Sequence, residues 1–195
     1  MPARDDILRA LRAANVPPLP LPDVGALSGI RYDDVRDRFA KAVIESGGRC
    51  VLVAGPLEDE LARIPEYASA RQVVSLVPGV RKANVDLTAV ADPHALQEVD
   101  FCVVPADLGV AESGACWITD HGGRNRAVCF LAQHIAVVVS ASQLVHNLHE
   151  AYARLELPRR GFAMFLSGPS KTADIEQALV IGAHGPRSCT VLVTS

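Results

Sequence analysis

The chain alternates short, continuous apolar runs with segments whose apolar residues recur at helical spacing. A helix is predicted from Asp33, because Gly47 stands just past its end as a C′ glycine, and the apolar run 49–54 follows it. A second helical segment, 57–64, separates that run from a third apolar stretch at 72–77. The order predicts a β-α-β unit, and continuous Val and Leu runs predict parallel strands that are covered on both faces.

The pattern changes in the middle of the chain. After a short predicted helix at 93–99 and a strand at 100–105, three apolar runs follow one another with only short polar turns between them. These runs lie at 115–119, 127–131 and 135–139. We therefore expect three strands there in an antiparallel or mixed patch. A helix at 143–157 and a last strand at 189–193 resume the alternation.

These elements predict a three-layer α/β domain with a mostly parallel or mixed sheet and helices on both faces. A length of 195 residues, 49% of them apolar, suits a single domain, which we assign to residues 31–195. Residues 1–30 contain a short amphipathic helix and the proline-rich run 17–22, and we expect them to form an arm on the domain or on a neighbouring subunit. A disordered tail is the alternative. The arm suggests a homo-oligomer.

Composition limits the possible partners. The net charge is −3, acids and bases are interspersed, and aromatic residues make up only 5% of the chain, so we expect no nucleic-acid partner. The chain has no uninterrupted apolar stretch of about 18 residues, so a membrane span is not predicted. The polar start of the chain does not resemble a signal peptide. These features predict a cytoplasmic protein.

Metal and cofactor binding is not predicted for this chain. The cysteines sit one each in apolar runs without a C-x-x-C pair, which favours small buried thiols over ligands of a metal or cluster. The cysteines are Cys50, Cys102, Cys116, Cys129 and Cys189. His146, His149 and Glu150 form H-x-x-H-E, which matches neither order of a zinc-protease motif, so a solvated helix face is favoured there.

The polar stretch from Ser167 to Glu176 follows the apolar run 162–166. Pro169 and Ser170 predict a helix that starts there and ends near Gly182. Exposed backbone N–H groups at the start of that helix, beside a lysine, would form an anion site, although an ordinary helix cap is the alternative. The predicted anion- or substrate-binding residues in this stretch are Ser167, Gly168, Ser170, Lys171, Thr172 and Asp174.

Together with the loop 182–186 and the turn 109–114, this stretch resembles the signatures of the LutC/YkgG family, the small LUD-domain proteins of bacterial lactate-utilisation operons. The resemblance implies the fold of glucosamine-phosphate deaminases, ribose-phosphate isomerases and CoA transferases (NagB/RpiA/CoA-transferase-like). It also implies a component of L-lactate oxidation to pyruvate that acts with iron–sulfur partner proteins, with the clusters in those partners. One departure is Ala115, which stands where the family often has a hydroxyl residue.

Two further residues are candidates for catalysis. Glu112 stands in a predicted turn with Gly114, which allows close backbone approach and which we also predict to bind the anion or substrate. The turn is similar to the Glu-x-Gly turn that carries the nucleophile of CoA transferases. A proton-transfer role and an ordinary solvated acid are the alternatives. His184 lies in a glycine-flanked loop. We expect Glu112, Lys171 and His184 to share one pocket at the carboxyl edge of the sheet. Because the predicted helix separates His184 from Lys171, His184 joins this pocket only from a neighbouring subunit or if its loop folds back.

Three functions stay open from the sequence. The first is the lactate-oxidation component with iron–sulfur partners. The second is a stand-alone transferase, hydrolase or isomerase that acts on a small phosphorylated or carboxylated substrate, with Glu112 as nucleophile or base. The third is a non-catalytic binding or scaffold subunit. A small anionic ligand is expected for the loop at 167–172 in each case.

Overall fold

The computed structural model describes residues 2–14, 19–20, 22–23, 29–120, 126–155, 161–173 and 179–195. The helices, in chain order, are α1 (Pro2–Ala13), α2 (Val35–Glu45), α3 (Leu57–Ala62), α4 (Pro65–Ser69), α5 (Val128–Leu131) and α6 (Leu148–Arg154). The strands are β1 (Arg49–Leu52), β2 (Val73–Ser75), β3 (Phe101–Pro105), β4 (Leu108–Val110), β5 (Ala115–Thr119), β6 (His134–Ser140), β7 (Leu144–Val145), β8 (Ala163–Leu166), β9 (Lys171–Ala173), β10 (Leu179–Ile181) and β11 (Ser188–Thr194).

The main sheet has five parallel strands in the order β1-β11-β6-β3-β2. Successive side chains along a strand point to opposite faces, and both faces are buried. Phe101 and Val103 of β3 pack with Leu61 and Tyr67 of α3 and α4. Cys102 and Val104 belong to the core on the other face, with α2 and α5. The predicted α/β class with a mostly parallel sheet between helical layers is therefore confirmed.

A second sheet of four strands, in the order β7-β4-β5-β8, packs on the α2 side of the main sheet. Its β4, β5 and β8 pair antiparallel, whereas β7 is parallel to β4. Cys116 and Ile118 of β5 contribute to the core shared with the main sheet. The other face, with Trp117 and Leu108, packs beneath α6.

A patch of antiparallel and parallel strands is present, as predicted, but two of the three segments predicted for it do not belong to it. Residues 127–131 form the short helix α5 instead of a strand, and 135–139 lie inside the main parallel sheet as part of β6. Periodicity cannot separate a short apolar helix from a buried strand, and only Val128 and Cys129 of α5 are buried. The helix predicted at 143–157 is shorter, because β7 occupies its start and α6 begins behind the cap of Asn147. The segment near 93–99 is a 3-10 helix, Pro93–Glu98.

The described residues of the range from Ser170 to Gly182 do not form the predicted helix. Instead, β9 and β10 form an antiparallel hairpin in which Thr172 pairs with Val180. The Gly182 N–H donates to the Ser170 carbonyl at 2.9 Å, so the hairpin closes directly behind the loop. Branched side chains in β9 and β10 favour the extended backbone over a helix. Asp174 lies outside the described residues.

The start of the domain is anchored on α6 by the H-x-x-H-E segment. The Tyr32 N–H donates to His146 Nδ1 at 3.0 Å, and Arg31 pairs with Glu150 at 2.8 Å. Asn147 Nδ2 donates to the Ile30 carbonyl at 2.9 Å. His146 and Glu150 thus have a structural role, and among the described residues no three His, Cys, Asp or Glu side chains cluster as a metal site. Within the same ranges, no helix has the length and apolar character needed to cross a membrane.

Candidate functional site

A cavity of about 310 Å³ lies between the loop 167–171, the loop 184–186, the end of α5 and β8. Its loop 184–186 precedes β11, and α5 precedes β6, so the cavity lies at the amino-terminal edge of the main sheet. The expected position at the carboxyl edge is therefore wrong. The loop at 167–171 does follow a strand, β8, but β8 belongs to the second sheet.

The cavity brings His184 together with the loop of Ser167, Gly168, Ser170 and Lys171, as the sequence predicted for these residues. The contact exists because β9 and β10 fold back on each other, whereas a helix would have carried His184 away. The Ser170 N–H donates to the Pro186 carbonyl at 2.9 Å, which ties the two loops together. His184 is exposed and lines the cavity, where its ring nitrogens can form hydrogen bonds with a ligand. Binding roles for these residues stay a prediction.

Lys171 points its amine to the carboxyl end of α2, where it donates a hydrogen bond to the carbonyl oxygen of Ser46. A cation at that end is favoured by the helix dipole, so Lys171 acts as a cap for α2. Gly168 has φ +70°, and a Cβ there would overlap the same carbonyl. Both residues therefore hold the loop against α2, and this contact uses one of the three N–H donors of the Lys171 amine.

Glu112 is not among the residues that line this cavity. Its Oε2 accepts the N–H of Leu148 at 3.1 Å, the first residue of α6, and its own N–H donates to the His146 carbonyl at 3.0 Å. A carboxylate at a helix N-terminus satisfies a free backbone donor and is favoured by the dipole. The expected pocket shared by Glu112, Lys171 and His184 thus contains only the last two.

The two sequence motifs nevertheless touch each other. Ser167 Oγ donates to the Ser113 carbonyl at 3.0 Å, directly beside Gly114. Gly114 has φ +67° and lies so close to α2 that a Cβ would sit 2.5 Å from the backbone nitrogen of Val43. Gly114 is therefore required for packing on α2, and the motifs around 112–114 and 167–171 both brace that helix.

Sequence reasoning missed the apolar wall of the cavity, which contains Cys129, Phe130 and Met164. The signals in the sequence are the apolar runs at 127–131 and 162–166, and the first of them predicts a strand where α5 is found. Phe130 remains 46% exposed and packs edge-on against Phe162 with ring centres 6.0 Å apart. Burial raises the pKa of the Cys129 thiol to about 11, so it is neutral at physiological pH and supplies an apolar surface.

The other cysteines match the prediction of buried thiols in all but one case. Cys102, Cys116 and Cys189 are buried, whereas Cys50 is half-buried. Burial raises the pKa of Cys50 to about 11 and that of Cys189 to about 12. Because the thiolate is the form that binds metals, these environments do not favour ligation.

Comparison with known proteins links these motifs to a family. The family model described as "LUD domain" matches residues 82–194. Lactate utilization protein C of Halalkalibacterium halodurans is 33% identical over 158 residues, which are 70% of this chain and 69% of that protein. The protein of the same name from Bacillus pumilus is 35% identical over 96 residues, 46% of this chain and 40% of that protein.

A further relative named lactate utilization protein C, from Geobacillus sp. strain WCH70, is 26% identical over 175 residues, 83% of this chain and 69% of that protein. Among solved structures, a DUF162 family protein from Deinococcus radiodurans superposes with a TM-score of 0.63 at 16% identity, covering 86% of this chain and 100% of that one. The last likeness shows the fold alone. Because the domain match covers more than half of the chain and the Halalkalibacterium protein is matched over two thirds of its length, the chain belongs to the LutC/YkgG family of LUD-domain proteins.

Proposed function

We propose that this protein is a component of an L-lactate utilization system that oxidises lactate to pyruvate together with iron–sulfur partner proteins. The observation that carries the proposal is the similarity to proteins named lactate utilization protein C, which extends over 158 residues in the Halalkalibacterium relative. The separate LUD-domain match, residues 82–194, includes three of the five strands of the main sheet, β3, β6 and β11. The proposed place of action is the cytoplasm.

Oxidation of lactate to pyruvate removes two electrons and two protons, so the reaction needs an electron acceptor. We assign the acceptor to iron–sulfur clusters in partner proteins. The cysteines of this chain support that division, because iron–sulfur clusters are held by thiolates, whereas burial holds the pKa of Cys102 and Cys116 well above the ordinary value. Cluster formation would require these thiols to lose their protons in an apolar interior.

The cavity beside His184 is our candidate for a small anionic ligand. The ring of His184 and the hydroxyl of Ser170 are the polar groups we assign to ligand contact, and the apolar wall at Phe130 would exclude water from one side. Lys171 contributes by ordering the loop through its bond to Ser46 instead of clamping the anion directly. Ser167 and Gly168, which the sequence also predicts to contact the anion, support the loop through their contacts with Ser113 and Ser46.

Glu112 separates the alternative functions. A stand-alone transferase or hydrolase would use this carboxylate as nucleophile or base, which requires it to reach a bound substrate. Its hydrogen bond to the N–H of Leu148 and its position outside the cavity lining instead favour a helix-capping role. A non-catalytic binding subunit of the same system is therefore the second candidate, and we expect no turnover by the isolated chain.

Growth of the host tests the proposal. Deleting the gene from its own host should slow or abolish growth on L-lactate as the carbon source, while growth on pyruvate stays normal. Restoring the gene should restore growth on lactate. Normal growth of the deletion strain on lactate, with no second copy of the gene present, contradicts the proposal.

Purification tests the partners. A tagged chain isolated from lactate-grown cells should bring along proteins whose visible spectrum and iron content indicate iron–sulfur clusters. The same chain purified alone should lack that absorption. If the purified chain holds stoichiometric iron and sulfide by itself, the assignment of the redox centres to partners is wrong.

A further inference from the structure

A second, smaller cavity lies at the same edge of the main sheet, between α4 and the starts of β6 and β11. It has a volume of about 240 Å³, and the polar groups that reach it include Glu66, Asp100, Gln133, His134 and Arg187. Pockets for drug-sized ligands begin at roughly 300 Å³, so this volume suits a smaller molecule. None of these five residues lines the cavity of the loop 167–171.

Arg187 is the cation of this cavity. Its backbone N–H donates to the Gln133 carbonyl at 2.8 Å, and its exposed side chain passes over Gly182, where a Cβ would lie 2.5 Å from Arg187 Cγ. Gly182 therefore makes room for the Arg187 stem. Within the described parts of the chain, the guanidinium has no carboxylate partner. It also borders a neighbouring depression of about 460 Å³ that includes His184.

The two acids of the cavity are each already compensated. Burial alone would raise the pKa of Glu66, but its 2.6 Å pair with Arg49, a backbone hydrogen bond and the nearby positive charge together outweigh burial, so this pKa lies below its ordinary value. Asp100 accepts the N–H groups of Gln72 and Arg71 at 2.9 and 2.7 Å, which lowers its pKa. Both groups are therefore ionised at neutral pH. One oxygen of each carboxylate, Oε1 of Glu66 and Oδ1 of Asp100, is left to accept a further hydrogen bond.

His134 adds a neutral polar group. Its Nδ1 lies 2.8 Å from Ser188 Oγ, and burial lowers the pKa of the ring, which stays uncharged at neutral pH. The cavity thus offers a guanidinium fork that has no carboxylate partner among the described residues, together with carboxylate oxygens that can accept a further hydrogen bond. A guanidinium fork matches the two oxygens of a carboxylate, whereas the fixed negative charges oppose a dianion such as phosphate.

We propose that Arg187 anchors a binding site for a small carboxylate that carries a hydroxyl group on the neighbouring carbon. The carboxylate forms paired hydrogen bonds with the guanidinium, and the hydroxyl donates to a free oxygen of Glu66 or Asp100. The site requires no covalent step. The choice of L-lactate as the probe rests on the proposed function, whereas the site itself rests on the arrangement around Arg187.

Direct binding measurements test the site. L-Lactate, propionate and inorganic phosphate are titrated against the full chain at constant ionic strength and pH 7, by calorimetry and by the NMR signals of the His134 ring. We expect L-lactate to bind in the range of about 1 mM, propionate to bind about tenfold more weakly for want of the hydroxyl, and phosphate to bind least. Arg187→Gln should weaken lactate binding by about tenfold or more, whereas Arg36→Gln, which removes an exposed charge on α2, should not.

A pair of glycine variants tests the position of the guanidinium without removing it. Gly182→Ala and Gly79→Ala both place a side chain at positive φ, +76° and +83°, but only the first new methyl group meets Arg187, since nothing lies within 4 Å of the Cβ position at Gly79. Gly182→Ala should therefore weaken lactate binding, and Gly79→Ala should leave it unchanged. Equal binding by the two variants contradicts the proposed role of Arg187.

Three results would overturn the site. The first is that lactate does not bind at about 50 mM, roughly fiftyfold above the expected dissociation constant. The second is that Arg187→Gln and Arg36→Gln lose the same amount of lactate affinity. The third is that phosphate binds more tightly than lactate. A chain that supports growth on lactate but binds none refutes this site and leaves the proposed function intact. A chain that binds lactate through Arg187 but is dispensable for growth on lactate supports the site and refutes the proposed function.

Discussion

Replacing Gly114 by alanine should destabilise the fold through its contact with α2. Gly114 has φ +67°, and an added Cβ would lie 2.5 Å from the nitrogen of Val43 and 2.6 Å from the carbonyl carbon of Ala42. Both neighbours are backbone atoms of a helix, so neither can rotate away as a side chain would. The turn between β4 and β5 must move off α2 to admit the methyl group.

The size of the effect follows from two costs. A left-handed conformation costs an L-residue about 1–2 kcal/mol relative to glycine, and overpacking a tight contact costs about 1–3 kcal/mol. The expected loss in the free energy of unfolding is therefore about 2–5 kcal/mol. With a urea dependence of about 2 kcal/mol per molar, the midpoint of urea unfolding should fall by about 1–2.5 M.

Urea unfolding followed by circular dichroism measures this loss, and Gly79→Ala is the matched control. Gly79 has φ +83° but open space around its Cβ position, so its alanine variant should lose only the conformational part, about 1–2 kcal/mol. The reasoning is refuted if Gly114→Ala loses no more stability than Gly79→Ala.

Three further results are expected. Lys171→Met should lower the free energy of unfolding by about 1 kcal/mol, because the carbonyl of Ser46 loses its charged donor, and an unchanged urea midpoint would contradict that cap. Glu112→Ala should cost about 1 kcal/mol by freeing the N–H of Leu148, whereas Glu112→Gln retains an acceptor and should cost less; equal costs would count against capping. Burial lowers the pKa of His134 in the folded state, so the unfolded state binds the proton more strongly and the free energy of unfolding should decline as pH falls from about 6.5 towards the folded pKa. Urea melts between pH 8 and pH 5 should show a flatter decline for His134→Gln. An unaltered slope would refute this reasoning.

The parts of the fold that follow local rules could be predicted from the sequence. Helix α2 begins behind Asp34, whose side chain accepts the N–H groups of Arg36 and Asp37, and it is followed by Gly47 at φ +83°. Such caps act within a few residues of the chain, so they can be read without knowing the tertiary structure. The positions of β1, β2, β3 and β11 could also be predicted, because burial of both faces of the sheet leaves continuous apolar runs, whereas the similar run at 135–139 predicts a strand of the mixed patch and forms part of β6 in the parallel sheet.

The errors fall where tertiary contacts decide between two local options. Pro169 and the polar residues that follow it suit a helix start, yet the N–H of Ser170 donates to the Pro186 carbonyl and that of Gly182 to the Ser170 carbonyl. These bonds make a hairpin, and no local pattern reports them. The site prediction shares the limitation, since the partners of Lys171 and Glu112 lie 125 and 36 positions away in the chain.

The cap that Lys171 forms on α2 connects the end of this helix to the cavity. The loop that carries Lys171 and Gly168 lines the cavity on one side and touches Ser46 on the other. The amide of Gly48, which donates to the Val43 carbonyl at 2.9 Å, lies just beyond that contact. We therefore expect a ligand that tightens or displaces the loop to change how often this amide opens, so that hydrogen exchange at Gly48 would report binding in a cavity that the amide does not touch.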